Sequence, residues 1–484
     1  MQYFKKPSIS LHILGRILQI ESALLLCPLI VALIYRESKS NILIFLALIF
    51  LTGVIGFCLA RRSIEGEKLY PRDGLLIVAL SWILLSFFGS LPFYLSGQIP
   101  SFLDAIFETV SGFTTTGSTI LEDVTVLDHS LLFWRSLTHL IGGMGVLVLT
   151  LAIVPGGNSA AIHLMKAEVP GPSFGKLVAK MRTTARLLYA IYLVMTAVLL
   201  LILCLLGMPI FDAFIHAFGA AGTGGFSNMP NSVAAYNSPA ITYALAIGML
   251  AFGVNFNLYY LVLIGQFRRA LKSEELRAYL AIYLTAVGLI FLNLIAYYKQ
   301  LGTAFRESFF TVASIMTTTG FSSADFAEWP LFSHVILLIL MFIGGSAGST
   351  AGGLKVSRVL IMGKIARREM RLSRQPHRVI SVRYDKKALS HQERAVVVNY
   401  FIVYILLFIL LLLVVALNAP SYDVAFSAVA ATFNNIGPGL SIIGPSGSYA
   451  GFSALSKIAL TISMLFGRLE IFPLLYLFTA WRKS

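Results

Sequence analysis

Four short stretches of this 484-residue chain share one chemical character: "TTTG" at 114–117, "GTGG" at 222–225, "TTTG" at 317–320 and "NNIG" at 434–437. What these residues can offer is oxygen. Glycine reaches backbone angles that other residues avoid, so the chain can turn back in extended form with its carbonyls facing one axis. Carbonyls so arranged can replace the hydration shell of a cation, and threonine adds a hydroxyl that bonds neighbouring backbone. The residues assigned to such a coordination site are Thr115, Thr116 and Gly117; Thr223, Gly224 and Gly225; Thr318, Thr319 and Gly320; and Asn435, Ile436 and Gly437. Any one TTTG alone reads as a helix-capping turn; four in matched context point to coordination. The unequal strands predict only approximate symmetry, with the amides of Asn434 and Asn435 available for structural bonds.

Each polar stretch closes a short apolar segment: "LDAIFETVSGFTTTG" (103–117), "FDAFIHAFGAAGTGG" (211–225), "RESFFTVASIMTTTG" (306–320) and "DVAFSAVAATFNNIG" (423–437). About a dozen helical residues cover roughly 18 Å, half a bilayer, so none of the four can span. Long apolar runs near 11–35, 41–60, 74–97, 131–154, 187–208, 239–266, 278–298, 331–345, 396–418 and 455–481 predict about ten crossings. The unit of span, half-helix, return strand and span therefore occurs four times, a repeat to be weighed before any local motif. Irregular backbone at membrane depth is tolerated only where protein buries it or it lines a watery cavity, and four such returns can share one cavity. Half-helices entering from outside would converge their partly negative C-terminal ends at the membrane centre, favouring a cation there. The expected fold class is an all-α polytopic membrane protein. Its expected units are an N-terminal transmembrane hairpin (1–70) and four pore repeats (71–160, 161–270, 271–375 and 376–484).

Composition agrees with the membrane. Hydrophobic residues make up 57% of the chain and charged ones 12%, with a mean hydropathy of +0.82, which excludes an ordinary soluble protein. The first apolar run lacks a small-residue cleavage site behind it, so it reads as a retained span. A net charge of +15 could suggest nucleic acid, but its placement argues otherwise. Lys and Arg cluster at 61–72, 166–186, 268–277 and 355–394, whereas 97–130, 209–238 and 419–455 contain none. Alternate loops are basic, as cytoplasmic loops should be, and both termini fall inside. The stretches Lys355–Arg394 and Lys166–Arg186 are expected to dock a regulatory partner or anionic lipid headgroups. Asp104, Glu108, Glu122, Asp123 and Asp128 lie in an outer segment, either raising the local cation concentration or simply solvated. Cys27, Cys58 and Cys204 sit in apolar runs and suit neither a disulfide framework nor a zinc site.

A second unusual stretch, "FIGGSAGSTAGGLKVSRV" (342–359), crowds poor helix formers into the span after the third half-helix. Gly344, Gly345, Ser346, Gly348, Ser349, Thr350, Gly352 and Gly353 are expected to form either an intramembrane gate or a small-residue kink. Arg468, charged within the last span, is a functional candidate by position, placed below the return strands to repel cations or to anchor that loop through carbonyls. Snorkelling is its alternative, and Glu470 falls off its helical face. Asn255 and Asn257 read as helix-packing contacts, and His139 and His216 as satisfied polar groups. "GPSFGKL" (171–177) fails as a phosphate loop. With no HExxH or CxxC, no catalytic set and no transition-metal site are expected.

The four units, the glycine-rich interruption, "SLPFYLSG", "IGGMGV" (141–146), "KAEVPGP" (166–172), "DFAEWP" (325–330) and the terminal "NNIGPGL…SMLFGRLEIF" together resemble the Trk/Ktr/HKT superfamily of potassium transporters over essentially the whole chain. The N-terminal hairpin favours the TrkH type over the shorter Ktr type. The resemblance implies K⁺ bound at filter glycines Gly117, Gly225, Gly320 and Gly437, a gating loop over Gly344–Gly353 and a pore arginine at Arg468. It also implies a homodimer in a bacterial inner membrane, seated on a cytosolic nucleotide-binding TrkA-like ring, with no organic cofactor on this chain. The rivals are a Na⁺-coupled or Na⁺-permeable transporter of the same fold, and a polytopic membrane enzyme or scaffold; channel-like conduction and symport both stay open.

Overall fold

The structure, a computed structural model, describes residues 8–61, 71–145, 181–469 and 471–481. The segments 166–172 and 171–177, most of the basic loop 166–186, and Glu470 lie outside these residues.

Lipid offers a backbone no hydrogen-bonding partner, so the apolar runs fold as helices, which satisfy their own peptide groups. Serine begins seven of them: Ser38, Ser101, Ser238, Ser273, Ser390, Ser421 and Ser453 each accept a hydrogen bond from the third main-chain N–H of the following helix. Each occupies a donor that the helix itself leaves unpaired.

The N-terminal hairpin comprises α1 (Ser8–Leu24) and α2 (Leu26–Ile34), which form one span, and α3 (Lys39–Ala60). Asn41, Phe45, Leu48, Thr52, Gly56 and Ala60 form one buried stripe on α3, while Phe50 and Phe57 face outward. That pattern fits a helix packed on one side and bathed in lipid on the other. The first unit then runs through α4 (Pro71–Leu95), the short α5 (Phe102–Phe113) and α6 (His129–Gly143). In the second are α7 (Met181–Leu205), the short α8 (Ile210–Gly222), α9 (Pro239–Phe252) and α10 (Phe256–Leu263), followed by the small α11 (Phe267–Leu271). The third consists of α12 (Glu274–Tyr298), α13 (Leu301–Met316), α14 (Leu331–Phe342) and α15 (Val356–Arg374). An antiparallel hairpin, β1 (Arg383–Tyr384) and β2 (Lys387–Ala388), leads to the fourth. That unit is α16 (His391–Ala416), α17 (Tyr422–Phe433), α18 (Ala454–Arg468) and α19 (Phe472–Trp481).

Among the described residues, six helices are long and apolar enough to cross a membrane. The run at 239–266, expected as one span, is instead broken: α9 and α10 meet at 90°. Asn255 is therefore not packing glue within a helix but the cap of α10, accepting from the N–H of Asn257 at 3.0 Å. Main-chain groups freed by the break are met by the glycine-rich loop of the third unit. Phe256 N–H donates to the Gly348 carbonyl at 3.0 Å, and Ser346 N–H donates to the Gly253 carbonyl at 3.0 Å. Interrupted helices persist in a membrane when neighbouring backbone satisfies them in this way.

The hairpin locks onto the first unit at one end. Glu37 accepts from both N–H and Oγ of Ser130, at 2.8 and 2.6 Å. Asp128 accepts from the amides of Asn41 and Gln98, each at 2.5 Å. Glu37→Ala strands two buried donors of Ser130, each loss costing about 1–3 kcal/mol. A lower midpoint of thermal unfolding in detergent is expected, with Glu37→Gln in between; an unchanged midpoint in the alanine variant would contradict this docking.

Candidate cation-coordination site

All four short helices end in the same way. The residues at the second position of each polar stretch, Thr115, Thr223, Thr318 and Asn435, lie in the left-handed region at φ of 55–56°. Their N–H groups bond back three residues, to Gly112, Ala220, Ile315 and Thr432, at 3.0–3.2 Å. The next N–H groups, of Thr116, Gly224, Thr319 and Ile436, bond back five residues, to Ser111, Gly219, Ser314 and Ala431, each at 2.8 Å. This pair of bonds is the Schellman helix end, a place that glycine normally takes. A β-branched residue there is strained, by on the order of 1–3 kcal/mol, and three of the four are threonine. Gly117, Gly225, Gly320 and Gly437 follow, with φ of 72–99°. The identical geometry puts Gly225 rather than Gly224 in register with the other three.

These bonds use the N–H groups of the return strands and leave their carbonyls. Among the described residues, no main-chain N–H donates to the oxygens of Thr115, Thr116, Thr223, Gly224, Thr318, Thr319, Asn435 or Ile436. The strands meet in a closed cycle. A Cβ placed on Gly117 would lie 2.0 Å from the Gly224 oxygen, one on Gly225 2.1 Å from that of Thr319, and one on Gly320 2.0 Å from that of Ile436. One on Gly437 would lie 2.7 Å from the Thr116 oxygen, back in the first unit. The four glycines line a single cavity. Unpaired peptide oxygens in a buried setting call for a partner, and neutral oxygens suit a hard cation. Among the described residues no group of three or more His, Cys, Asp or Glu is placed to hold a metal.

Contacts across unit boundaries hold the cycle. Glu108 and Arg135 form a buried ion pair at 2.6 Å, at 0% and 3% side-chain exposure. Glu108 also accepts from Ile120 N–H at 2.9 Å and from Thr119 Oγ1, while Arg135 donates to the Ser227 carbonyl in the second unit at 3.0 Å. Lys457 of the fourth unit pairs with Asp104 of the first at 2.6 Å. Asn435 Nδ2 donates to Thr116 Oγ1 at 2.9 Å. Of the five acidic residues expected to attract cations or remain solvated, Asp104, Glu108 and Asp128 are thus committed to structural contacts, and Glu122 and Asp123 are exposed. His216 is satisfied as expected, between the Asp212 carbonyl at 2.8 Å and Ser227 Oγ at 3.2 Å. His139 is not: it is fully buried and neither ring nitrogen makes a well-formed hydrogen bond.

The glycine-rich loop lies directly against the strand ends. Gly352 N–H donates to Thr318 Oγ1 at 2.6 Å, and a Cβ on Gly352 would lie 2.5 Å from the Asn434 oxygen. Gly344 N–H donates to the Leu354 carbonyl at 2.9 Å, and Val356 N–H to that of Gly345 at 3.1 Å, pinching the loop at its base. Ser349 Oγ donates to the Ser346 carbonyl at 2.7 Å, and Gly348 and Gly353 take left-handed angles. Arg468 bridges three carbonyls, those of Thr350 at 2.7 Å, Gly142 at 2.5 Å and Gly143 at 2.6 Å. Hydrogen bonds to a charged group are the stronger kind, so this side chain ties the loop to the end of α6. Lys355 donates to the Ala351 carbonyl.

Glu275, which sequence reasoning passed over, accepts from Ala347 N–H within the loop at 2.7 Å and from Ser357 N–H in the first turn of α15 at 3.2 Å. Beside it stands Tyr384 of β1, whose phenol is pushed up by burial and then by the charges of Glu275 and Asp385. Arg135 was missed as well, although a charge inside the apolar run "LLFWRSL" is the same signal that singled out Arg468.

An all-α polytopic chain that closes four return strands around one set of unpaired peptide oxygens is of the cation-transport class. The family model described as "TrkH: Cation transport protein" matches residues 38–483, and the chain belongs to that family. The Trk system potassium uptake protein TrkH of Salmonella typhimurium is 38% identical over 98% of this chain and 99% of its own length. The protein of that name from Escherichia coli K12 is 37% identical over the same shares. The crystal structure of the potassium transporter TrkH from Vibrio parahaemolyticus superposes with a TM-score of 0.88 at 34% identity, covering 99% of this chain and 98% of that one. The resemblance read from the sequence holds at the level of the family and the all-α membrane fold.

Breaking the Glu108–Arg135 pair from one side tests how the cycle is held. Arg135→Met leaves a buried carboxylate without its partner and should cost about 3–5 kcal/mol. The double variant Arg135→Met/Glu108→Gln should recover much of that in thermal unfolding. Additive losses in the double variant would contradict the pairing.

Proposed function

We propose that the chain takes up potassium across a bacterial inner membrane, through one pore framed by its four return strands. The observation that carries this reading is the closed cycle of glycines and unpaired carbonyls, in which Gly117, Gly225, Gly320 and Gly437 each abut a carbonyl of the next strand. Peptide oxygens from Thr115, Thr116, Thr223, Gly224, Thr318, Thr319, Asn435 and Ile436 would stand in for water around K⁺. Support for K⁺ as the cargo comes from relatives named as potassium uptake proteins at 37–38% identity over nearly full length. Inward movement of one charge gains about 2.3 kcal/mol per 100 mV of membrane potential.

Gating belongs to the loop from Gly344 to Gly353. In its observed position it is pressed against the strand ends and pinned by Arg468, whose charge also repels a cation leaving the strands. Conduction would require the loop to withdraw, releasing its bonds to Arg468 and Thr318. Glu275 connects the loop, at Ala347, and the start of α15, at Ser357, to the cytosolic hairpin around Tyr384, so a partner acting on Lys355–Arg394 could bias that step. A TrkA-like nucleotide-binding ring is the partner in this reading, with two copies of the chain seated on it; the relatives' names place them in a Trk system. The units 1–70, 71–160, 161–270, 271–375 and 376–484 are its natural divisions.

Uptake of radioactive Rb⁺ into proteoliposomes tests the pore. Gly320→Val places a branched side chain where even a Cβ would meet the Ile436 oxygen at 2.0 Å, and uptake should fall by at least about tenfold, equivalent to 1.4 kcal/mol. Wild-type uptake in that variant would overturn the assignment. Arg468→Ala removes the pin and should raise basal uptake several-fold; a decrease would contradict the loop's role as a closed gate.

A further inference from the structure

The second return strand differs from the others in a way that its own backbone does not explain. In three units the residue before the left-handed position has a side chain that bonds back four residues along the half-helix. Thr114 Oγ1 donates to the Val110 carbonyl at 2.6 Å, Thr317 Oγ1 to that of Ala313 at 2.7 Å, and Asn434 Nδ2 to that of Ala430 at 2.9 Å. In the first and third units the residue after the left-handed position completes a clamp. Thr114 bonds Thr116 and Thr317 bonds Thr319, each pair at 2.7 Å. The second unit has Gly222 and Gly224 in these places. Neither adopts a positive φ, so conformational freedom does not account for glycine at either.

Room does. A Cβ on Gly224 would lie 2.4–2.5 Å from three atoms of the His139 imidazole, and one on Gly222 2.2 Å from the His139 carbonyl. The imidazole fills the space that a side chain at 224 would need. His139 also stacks on Phe226 with ring centroids 4.1 Å apart and planes at 17°, just beyond Gly225. One turn earlier on α6, Arg135 lies over the same phenyl ring at 3.4 Å and holds the Ser227 carbonyl. One face of α6 thus grips the strand from 224 to 227. A fully buried imidazole loses its hydration, and the backbone of Ser111 offers it only a contact short of well-formed hydrogen-bond geometry; what it gains here is shape.

We propose that His139 is a positioning residue of the cation site. Its flat ring replaces the side-chain clamp missing from the second strand, fixes the carbonyls of Thr223 and Gly224, and so determines how strictly the site separates K⁺ from smaller cations. This rests on reading 222–225 as part of the filter. A loosened second strand can close around Na⁺, whereas a clamped one holds its oxygens at the spacing of the other three.

The test measures Rb⁺ uptake and its competition by Na⁺ in proteoliposomes, for variants that match wild type in gel filtration and thermal unfolding. His139→Ala should retain substantial Rb⁺ uptake while losing Rb⁺/Na⁺ discrimination by roughly tenfold, or 1.4 kcal/mol. His139→Phe, which keeps a flat ring, should preserve discrimination. Gly224→Ala alone should lose uptake, and His139→Ala/Gly224→Ala should regain it because the ring no longer occupies that space. Unchanged discrimination in His139→Ala, loss in His139→Phe equal to that in His139→Ala, or no rescue in the double variant would each overturn the proposal. Wild-type protein without any cation uptake would instead refute the pore reading itself.

Discussion

The structure turns on an asymmetry within four tight turns. At each half-helix end, two N–H groups of the returning chain bond back to carbonyls of the helix just completed, while the carbonyls of the same residues receive no main-chain donor. Donors are consumed locally and acceptors are left over. In a hydrocarbon setting a buried unpaired carbonyl costs about 1–3 kcal/mol, so a cluster of them is tolerable only where water or a cation completes it. The left-handed threonines add strain to each turn. Strain at four equivalent points, held by eight backbone bonds, indicates that the direction of those carbonyls is what the surrounding helices secure.

One polypeptide closing on itself imposes a further requirement: the fourth unit must meet the first. Lys457 reaches Asp104, Asn435 reaches Thr116, and Tyr449 N–H donates to the Thr119 carbonyl at 2.8 Å. The junction between first and second units is made by Arg135, and that between second and third by close approach of Gly225 to Thr319. No two junctions use the same residues. Approximate fourfold backbone geometry is therefore built from unequal side chains, and each unit has solved separately the problem of backing its strand. Threonine pairs serve in the first and third. Tyr404, donating to Asn434 Oδ1 at 2.7 Å, contributes in the fourth.

Much of this arrangement was legible in the chain itself. The half-helices were visible because apolar runs too short to span are punctuated by Thr, Asn and Gly; the observed helices Phe102–Phe113 and Tyr422–Phe433 begin one residue before those runs and end where the polar stretches start. Hydropathy did not reveal the 90° break between Phe252 and Phe256, since an asparagine in an apolar stretch looks the same whether it caps a helix or packs against one. Register in the second strand was equally hidden, because adjacent glycines differ only in φ. The bracing roles of Glu108, Arg135 and Glu275 stayed hidden for a different reason. These residues reach partners up to 92 residues away, and a single sequence does not record which distant groups meet. Local rules located the turns; the contacts that brace them are long-range.

The central claim is that the leftover carbonyls of all four strands face one ion path. Crystals of the protein grown in Rb⁺, measured at the rubidium absorption edge, test it most directly. The account predicts anomalous density on a single axis among the oxygens of residues 115–117, 223–225, 318–320 and 435–437. Rubidium bound only at separate positions, each served by one strand, would contradict it.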